Sequence, residues 1–172
     1  MYKRQAEEGL SRKWGANVGR VLLNAYGNDV ANRAKAMAAA GSDARMSGCE
    51  RPVVINSGSG NQGMTASLPV IVYAKELKAS QSQLYRALVV SNLVTIHLKT
   101  GIGRLSAYCG ATSAGCGAGA GITYLYGGTP TRDGTTMLPH IDSKRRKKLK
   151  QKKTALGHAE DDHEDWDMKQ EL

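Results

Sequence analysis

The sequence contains no phenylalanine, and its seven tyrosines and two tryptophans bring aromatic residues to only 5% of 172 positions. A core without many large rings must rely on Leu, Val, Ile, Met and Ala, with backbones approaching closely. The 20 glycines suit that arrangement. Three cysteines are too few for a multi-bridge secreted scaffold, and no charged-then-apolar leader opens the chain, so a reducing cytoplasm is the expected compartment. No GxSxG, no HExxH and no Cys/His nucleophile arrangement occurs. Cys109 and Cys116 lie seven apart with Cys49 remote, which is not the CxxC-like pairing of zinc sites. In isolation these three read as small buried cysteines. What remains is 41% hydrophobic, which excludes wholesale disorder, and the length suits one domain with a real core.

Charge is unevenly spread. The chain carries 24 Lys and Arg against 15 Asp and Glu, a formal net charge of +9. Residues 144–153, KRRKKLKQKK, hold eight positive charges, and residues 158–172, HAEDDHEDWDMKQEL, hold seven acids and one Lys. Blocks of this kind repel within themselves and stay solvated. The basic run read as a nucleic-acid patch is set against a disordered, partly self-neutralising tail, and the tail is the preferred reading. Without residues 143–172, which carry nine basic and seven acidic residues, the body keeps +7. That balance suits an anionic small substrate without requiring one.

Along the chain, helical spacing is first clear over 17–26, where Val18, Val21, Leu22 and Ala25 share a stripe. Gly27-Asn28-Asp29 stops it and offers Asn28 or Asp29 as the next N-cap. An Ala-rich helix is predicted over 29–40, broken by Gly41-Ser42-Asp43. Pro52-Val53-Val54-Ile55 is either a strand or a buried extended segment. Residues 56–63 read as a loop, and a helix follows over MTASLPVIVYAKELK with Pro69 near its first turns. Residues 80–99 open on a Ser N-cap, with Leu84, Ala87, Leu88, Ser91, Val94 and Leu98 at helical spacing. Lys99-Thr100-Gly101-Ile102-Gly103 is predicted to end that helix.

Residues 105–126 carry no charge over 22 positions, long enough to span a bilayer, with GxxxG spacing at Gly115/Gly119 and Gly117/Gly121. Because Gly, Ala, Ser and Thr dominate, the apolar transfer energy is weak, and a closely packed buried helix is the better reading. The fold class is therefore mainly α, with a glycine-rich loop between helices.

That loop, Asn56-Ser57-Gly58-Ser59-Gly60-Asn61-Gln62-Gly63, is the most unusual stretch. Backbone N–H groups at a helix start form an anion site, and glycines let a ligand come close. It is neither a Walker loop nor a GxGxxG inside a βαβ unit, and an ordinary polar turn is the competing reading. His97 reads as a core or interface histidine, and His158 and His163 fall in the acidic tail.

Whole words carry more than composition does. AEEGL at 6–10, GSDARMSGCE at 41–50, INSGSGNQG at 55–63, LPVIVYAKEL at 68–77 and KTGIGRLSAYCGATSAGCGAGAGITYL at 99–125 resemble the bacterial and archaeal L-cysteine desulfidases. These are related to the α chain of iron–sulfur-dependent L-serine dehydratases. The resemblance covers about residues 6–128 and implies a fragment of a mainly helical catalytic domain in a cytoplasmic enzyme without pyridoxal phosphate. It further implies a 4Fe–4S cluster held by three cysteine thiolates, one iron staying open as a Lewis acid. The reaction implied is β-elimination of L-cysteine to pyruvate, ammonia and sulfide, or of L-serine to pyruvate and ammonia.

Of the cluster ligands, only Cys109, in LSAYC, matches the family pattern; Cys116 and Cys49 are not counted. The family's early GCTEP and late CDGAK segments do not occur here. The substrate carboxylate needs a fixed anion site. From chemistry and position, the loop Ser57, Gly58, Ser59, Gly60, Asn61, Gln62 and Gly63 is the candidate, with Arg45, Lys99 and Arg104 adding positive charge. MYKRQ at 1–5 does not resemble the family and equals the translation of a common transposase-adapter sequence. The likeness stops again after Gly127-Gly128. Residues 1–5 are accordingly expected to be a non-native leader, 6–128 a fragment of the catalytic domain, and 129–172 an unmatched basic-then-acidic tail. The isolated chain is expected to be inactive unless another polypeptide completes it, and exposed helix faces would favour a homo-oligomer. A non-catalytic, nucleic-acid-binding module is the contrasting expectation.

Overall fold

Six helices account for most of the 122 positions that the structure, a computed structural model, describes: residues 2–103 and 109–128, with side chains from residue 4 onward. They are α1 (Tyr2–Ser11), α2 (Val18–Tyr26), α3 (Val30–Met46), α4 (Gly60–Glu76), α5 (Gln81–Ile102) and α6 (Gly110–Leu125). No strand occurs among the described residues, and residues 52–55 are irregular. The mainly α expectation therefore holds. No helix among them is long and apolar enough to cross a membrane.

Helix starts follow local chemistry where a cap is present. Asp29 caps α3 by accepting from Asn32 N–H at 2.7 Å. Ser80 and Gln83 form a reciprocal capping box on α5, satisfying two backbone donors at once. Helix α2 is different. Its N-cap Asn17 is left-handed at φ 53° and makes no side-chain cap bond, while Val18 N–H donates to Asp43 Oδ2 of α3 at 2.8 Å.

Several boundaries depart from the sequence reading. The Gly41-Ser42-Asp43 break is incorrect: α3 runs through it to Met46, with Gly41 packed beneath Met64 and Ala6. Helix α5 likewise continues through Gly101 to Ile102, and only Gly103 ends it. Pro69 lies in the interior of α4, not near its first turns. Helix α1 had no forecast. It begins at Tyr2 and buries Gln5, Ala6 and Gly9, a face too small to show as an apolar stripe.

Helix α4 is the central element. Met64 and Leu68 join Ala6 in one apolar cluster, bordered by Met37 and Val53. Val70 joins Ala87 of α5 and Ala118 of α6 in another, bordered by Leu84, Leu88 and Ile122. Eleven of the fourteen buried hydrophobic residues are alanines, so the helices approach by backbone rather than by interlocking bulky side chains. Close approaches join α1 to α3, where a Cβ on Gly9 would stand 2.0 Å from the Ala40 carbonyl oxygen, and α5 to α6, where a Cβ on Gly117 would stand 2.1 Å from Thr95 Oγ1 and 2.4 Å from the Ser91 carbonyl oxygen. The second is the tight, small-residue packing expected of the uncharged segment. Residues 104–108, at its start, and the charged stretch 129–172 lie outside the described residues.

Candidate functional site

Immediately before α4 the chain reverses in the fewest residues it can. Asn56 N–H and Ser59 N–H each donate to the other's carbonyl at 3.2 Å, and Ser57 and Gly58 between them take φ of 49° and 93°. Two successive positive φ values make a tight primed turn. Gly58 adopts this at no steric cost, whereas Ser57 is a non-glycine in a sparsely populated region. Asn56 anchors the turn from below. It is buried, accepts from Ser57 Oγ at 2.8 Å and donates through Nδ2 to Asn92 Oδ1 of α5 at 2.7 Å. Asn92 in turn donates to the Leu88 carbonyl at 2.7 Å. The expected loop of 56–63 is thus a four-residue turn followed directly by helix from Gly60.

Lys99 meets this turn. A cavity of about 500 Å3 is lined by Ser57, Gly58, Ile96, Lys99, Thr100 and Gly103. Lys99 is only 3% exposed, and it has no ion-pair partner among the described residues. Burial of an ammonium group is costly unless something of opposite charge meets it. Here the walls supply hydroxyls and backbone but no carboxylate.

The other candidates form neighbouring groups. Arg45 donates to Asn61 Oδ1 at 3.2 Å and lies across the start of α4, where a Cβ on Gly60 would come within 2.8 Å of its Nε. It too lacks an ion pair among the described residues. Gln62 presses on Gly110, the first residue of α6, where a Cβ would sit 2.3 Å from the Gln62 side chain. The first turns of α4 and α6 therefore touch. Neither N-cap, Ser59 or Cys109, makes a side-chain cap bond, and Gln62 Oε1 is buried without a hydrogen-bond partner. Unsatisfied helix N-termini carry partial positive charge, so turn, lysine, arginine and helix starts bias this end of the molecule toward an anion. Gly63 is buried one turn further on and serves packing.

Arg104 lies outside the described residues. Burial of the cysteines was expected and is contradicted for two of them: Cys109 and Cys116 are exposed, Cys49 half-buried, and all three are free thiols. Small residues such as the neighbouring Ala114 and Ala118 fill the close helix contacts of α6 instead. His97 is exposed rather than in the core. Among the described residues no three His, Cys, Asp or Glu side chains gather to hold a metal ion.

Sequence reasoning missed Asn92, Ile96, Thr100 and Gly103. An asparagine inside an otherwise apolar helix pattern was the available signal, because Asn is a poor helix former retained for a hydrogen bond. A larger cleft of about 700 Å3, among Leu10, Leu23, Met37, Ile71 and Val72, is mostly apolar. Charged side chains also line it: Arg33 and Glu76 pair with each other, and Glu7, Lys75 and Lys78 stand on the same wall.

Comparison with known proteins adds the following. The family described as serine dehydratase alpha chain matches residues 1–138. A UPF0597 protein of Desulfitobacterium hafniense is 76% identical over 123 residues, covering 72% of this chain and 29% of the relative. One from Lachnoclostridium phytofermentans is 62% identical over 133 residues, covering 77% and 32%. Another, from Fusobacterium nucleatum, is 57% identical over 129 residues, covering 72% and 30%. The chain thus spans about 30% of the length of these curated relatives. No solved structure matches.

Proposed function

The chain belongs to the serine dehydratase alpha chain family, and from that premise we propose that it supplies the carboxylate-binding part of a cytoplasmic, β-eliminating amino-acid lyase. The observation that carries this reading is Lys99, buried and without an ion pair among the described residues, in an open cavity lined in part by the Ser57-Gly58 turn. An α-amino acid brings one carboxylate, which would meet the ammonium of Lys99; the hydroxyls of Ser57 and Thr100 already donate to Asn56 Oδ1 and to the Ile96 carbonyl, so the lysine is the donor this cavity offers. Charge-assisted contacts of this type contribute about 1.5–3 kcal/mol each. Arg45 and the start of α4 extend the favourable potential beyond the first contact.

The substrate we favour is L-cysteine. Loss of the Cα proton and departure of the β-thiol leave aminoacrylate, which takes up water to give pyruvate and ammonia, with sulfide as the other product. L-Serine, losing hydroxide in place of the thiol, is the second substrate reading and needs the same carboxylate site. In this scheme Lys99 binds and orients, fixing the Cα–H bond relative to whatever group accepts the proton.

An iron–sulfur cluster in such a lyase would act as a Lewis acid on the leaving group. The described residues do not by themselves form a site for it, since Cys109 is exposed at the N-cap of α6 and no three-donor group surrounds it. Thiolates beyond Cys109 would come from the portion of the longer relatives that this chain does not span.

The test uses the complete Desulfitobacterium relative, with the residue aligned to Lys99 compared as Lys and as Met. Removing one charge-assisted contact is expected to raise KM for L-cysteine by roughly 10–100-fold, with sulfide and pyruvate still released in equal amounts. An unchanged KM would remove Lys99 from the site. Absence of sulfide from cysteine and of pyruvate from serine, in the unaltered protein, would overturn the lyase reading itself.

A further inference from the structure

Helix α5 carries a second apolar face besides the one that meets the core. Its fully buried positions are Ala87, Ser91, Thr95 and Lys99, with Leu84 and Leu88 packed partly buried beside them. Tyr85, Val89, Leu93 and Ile96 are instead 56%, 57%, 59% and 47% exposed. At 100° per residue these four fall within an arc of about 80°, one stripe along three turns. An exposed apolar stripe on a helix whose other face is already packed is the pattern of a helix with packing partners on both sides.

We infer that this stripe is a docking surface, and that its occupant is the remaining polypeptide of the full-length family members, presenting an apolar helix face. The length relation supplies the argument. The matched part is 29–32% of the relatives' length, so they carry more than twice as much further polypeptide, enough to cover this face. The chain's own residues 129–172 match the stripe poorly, since 19 of those 44 positions are Lys, Arg, Asp or Glu. Continuity with the site is a second argument. Ile96 belongs both to the stripe and to the wall of the cavity that holds Lys99. Whatever seats on α5 therefore reaches the mouth of that cavity and can exclude water from it. Docking on α5 is independent of which substrate the cavity takes; only the closure of the cavity rests on the lyase reading.

Hydroxyl-radical footprinting read by mass spectrometry tests this without using activity. The full 172-residue chain is compared with the complete Desulfitobacterium protein in which the aligned stretch is replaced by residues 6–128. Oxidation of Tyr85, Val89, Leu93 and Ile96 is expected to fall about tenfold in the complete protein and to stay low on dilution. Should the exchange unfold that protein, the four aligned positions in the unaltered relative give the same reading. Oxidation that remains high in the complete protein would overturn the inference. Protection already present in the isolated chain would do so as well: if it vanished on dilution the occupant would be a second copy, and if it persisted it would be the chain's own tail. Protection in the complete protein that disappears on dilution also counts against it.

Discussion

Two glycines two residues apart in α6 should respond to the same substitution in opposite directions. Gly115→Ala places a methyl group where nothing stands within 4 Å. It should therefore show only the helix-propensity gain, about 1 kcal/mol of added stability. Gly117→Ala makes the same gain, but its methyl group arrives 2.1 Å from Thr95 Oγ1 and 2.4 Å from the Ser91 carbonyl oxygen. Neither atom can simply move aside. Thr95 Oγ1 donates to that same Ser91 carbonyl at 2.8 Å, and Ser91 Oγ donates to the Ala66 carbonyl of α4 at 2.6 Å. Relief means rotating Thr95 and losing a buried hydrogen bond worth about 1 kcal/mol, or parting α5 from α6 at an overpacking cost of about 1–3 kcal/mol. After the shared gain of about 1 kcal/mol, the net expectation for Gly117→Ala is a loss of up to about 2 kcal/mol, and the gap between the two variants equals the packing penalty, about 1–3 kcal/mol. Urea unfolding of the full chain, followed by far-UV circular dichroism, should separate their midpoints by roughly 0.5–1.5 M. If Gly117→Ala proves as stable as Gly115→Ala, the close backbone contact of α5 and α6 is wrong.

Two further outcomes can be checked on the same material. Ser80→Ala removes half of the capping box on α5 and should cost about 1 kcal/mol in the same unfolding experiment, with Ser80→Asn restoring most of it. Tyr73 packs edge-on against Tyr126, ring centres 6.2 Å apart, and burial above all, then Tyr126 and Asp29, push its phenol above the ordinary value of 10.0. Above pH 10 the unfolded chain ionises this phenol first, so stability is full below that pH and falls as pH rises toward the folded-state value. Tyr73→Phe should flatten that alkaline decline; an unchanged slope of stability against pH between 9 and 11 would exclude Tyr73 as its source.

How much was legible in the sequence differs between elements for physical reasons. The Ser80 cap and the Asp29 cap were visible because both act within three residues. The continuation of α3 through Gly41-Ser42-Asp43 was not, because Met64 covers Gly41 and Asp43 bonds to Val18, partners remote in the chain. Helix α1 escaped notice because it buries Gln5, Ala6 and Gly9 rather than a stripe of large apolar side chains. At the site, residue types alone marked Ser57, Gly58 and Lys99 as candidates for binding an anion. Their convergence depends on the last turns of α5 running back past the start of α4, which the lengths of two helices and the Asn56–Asn92 bond decide. Ile96 and Thr100 gave no signal, since each is unremarkable until the turn is laid beside it.

The bond from Val18 to Asp43 also bears on the order in which the molecule assembles. Helix α2 has nine residues, buries only Gly19 and makes no side-chain bond at its own N-cap. A segment that short does not hold a helix alone in water, where about 12–15 residues are marginal even for favourable sequences. Its first turn becomes stable only when the carboxylate of Asp43 is in position, and that requires α3 to have formed through the stretch that looks like a break. During synthesis residues 18–26 leave the ribosome before residues 30–46, yet they must wait for them. The chain is therefore made from its amino end forward, but in this region it sets from α3 backward.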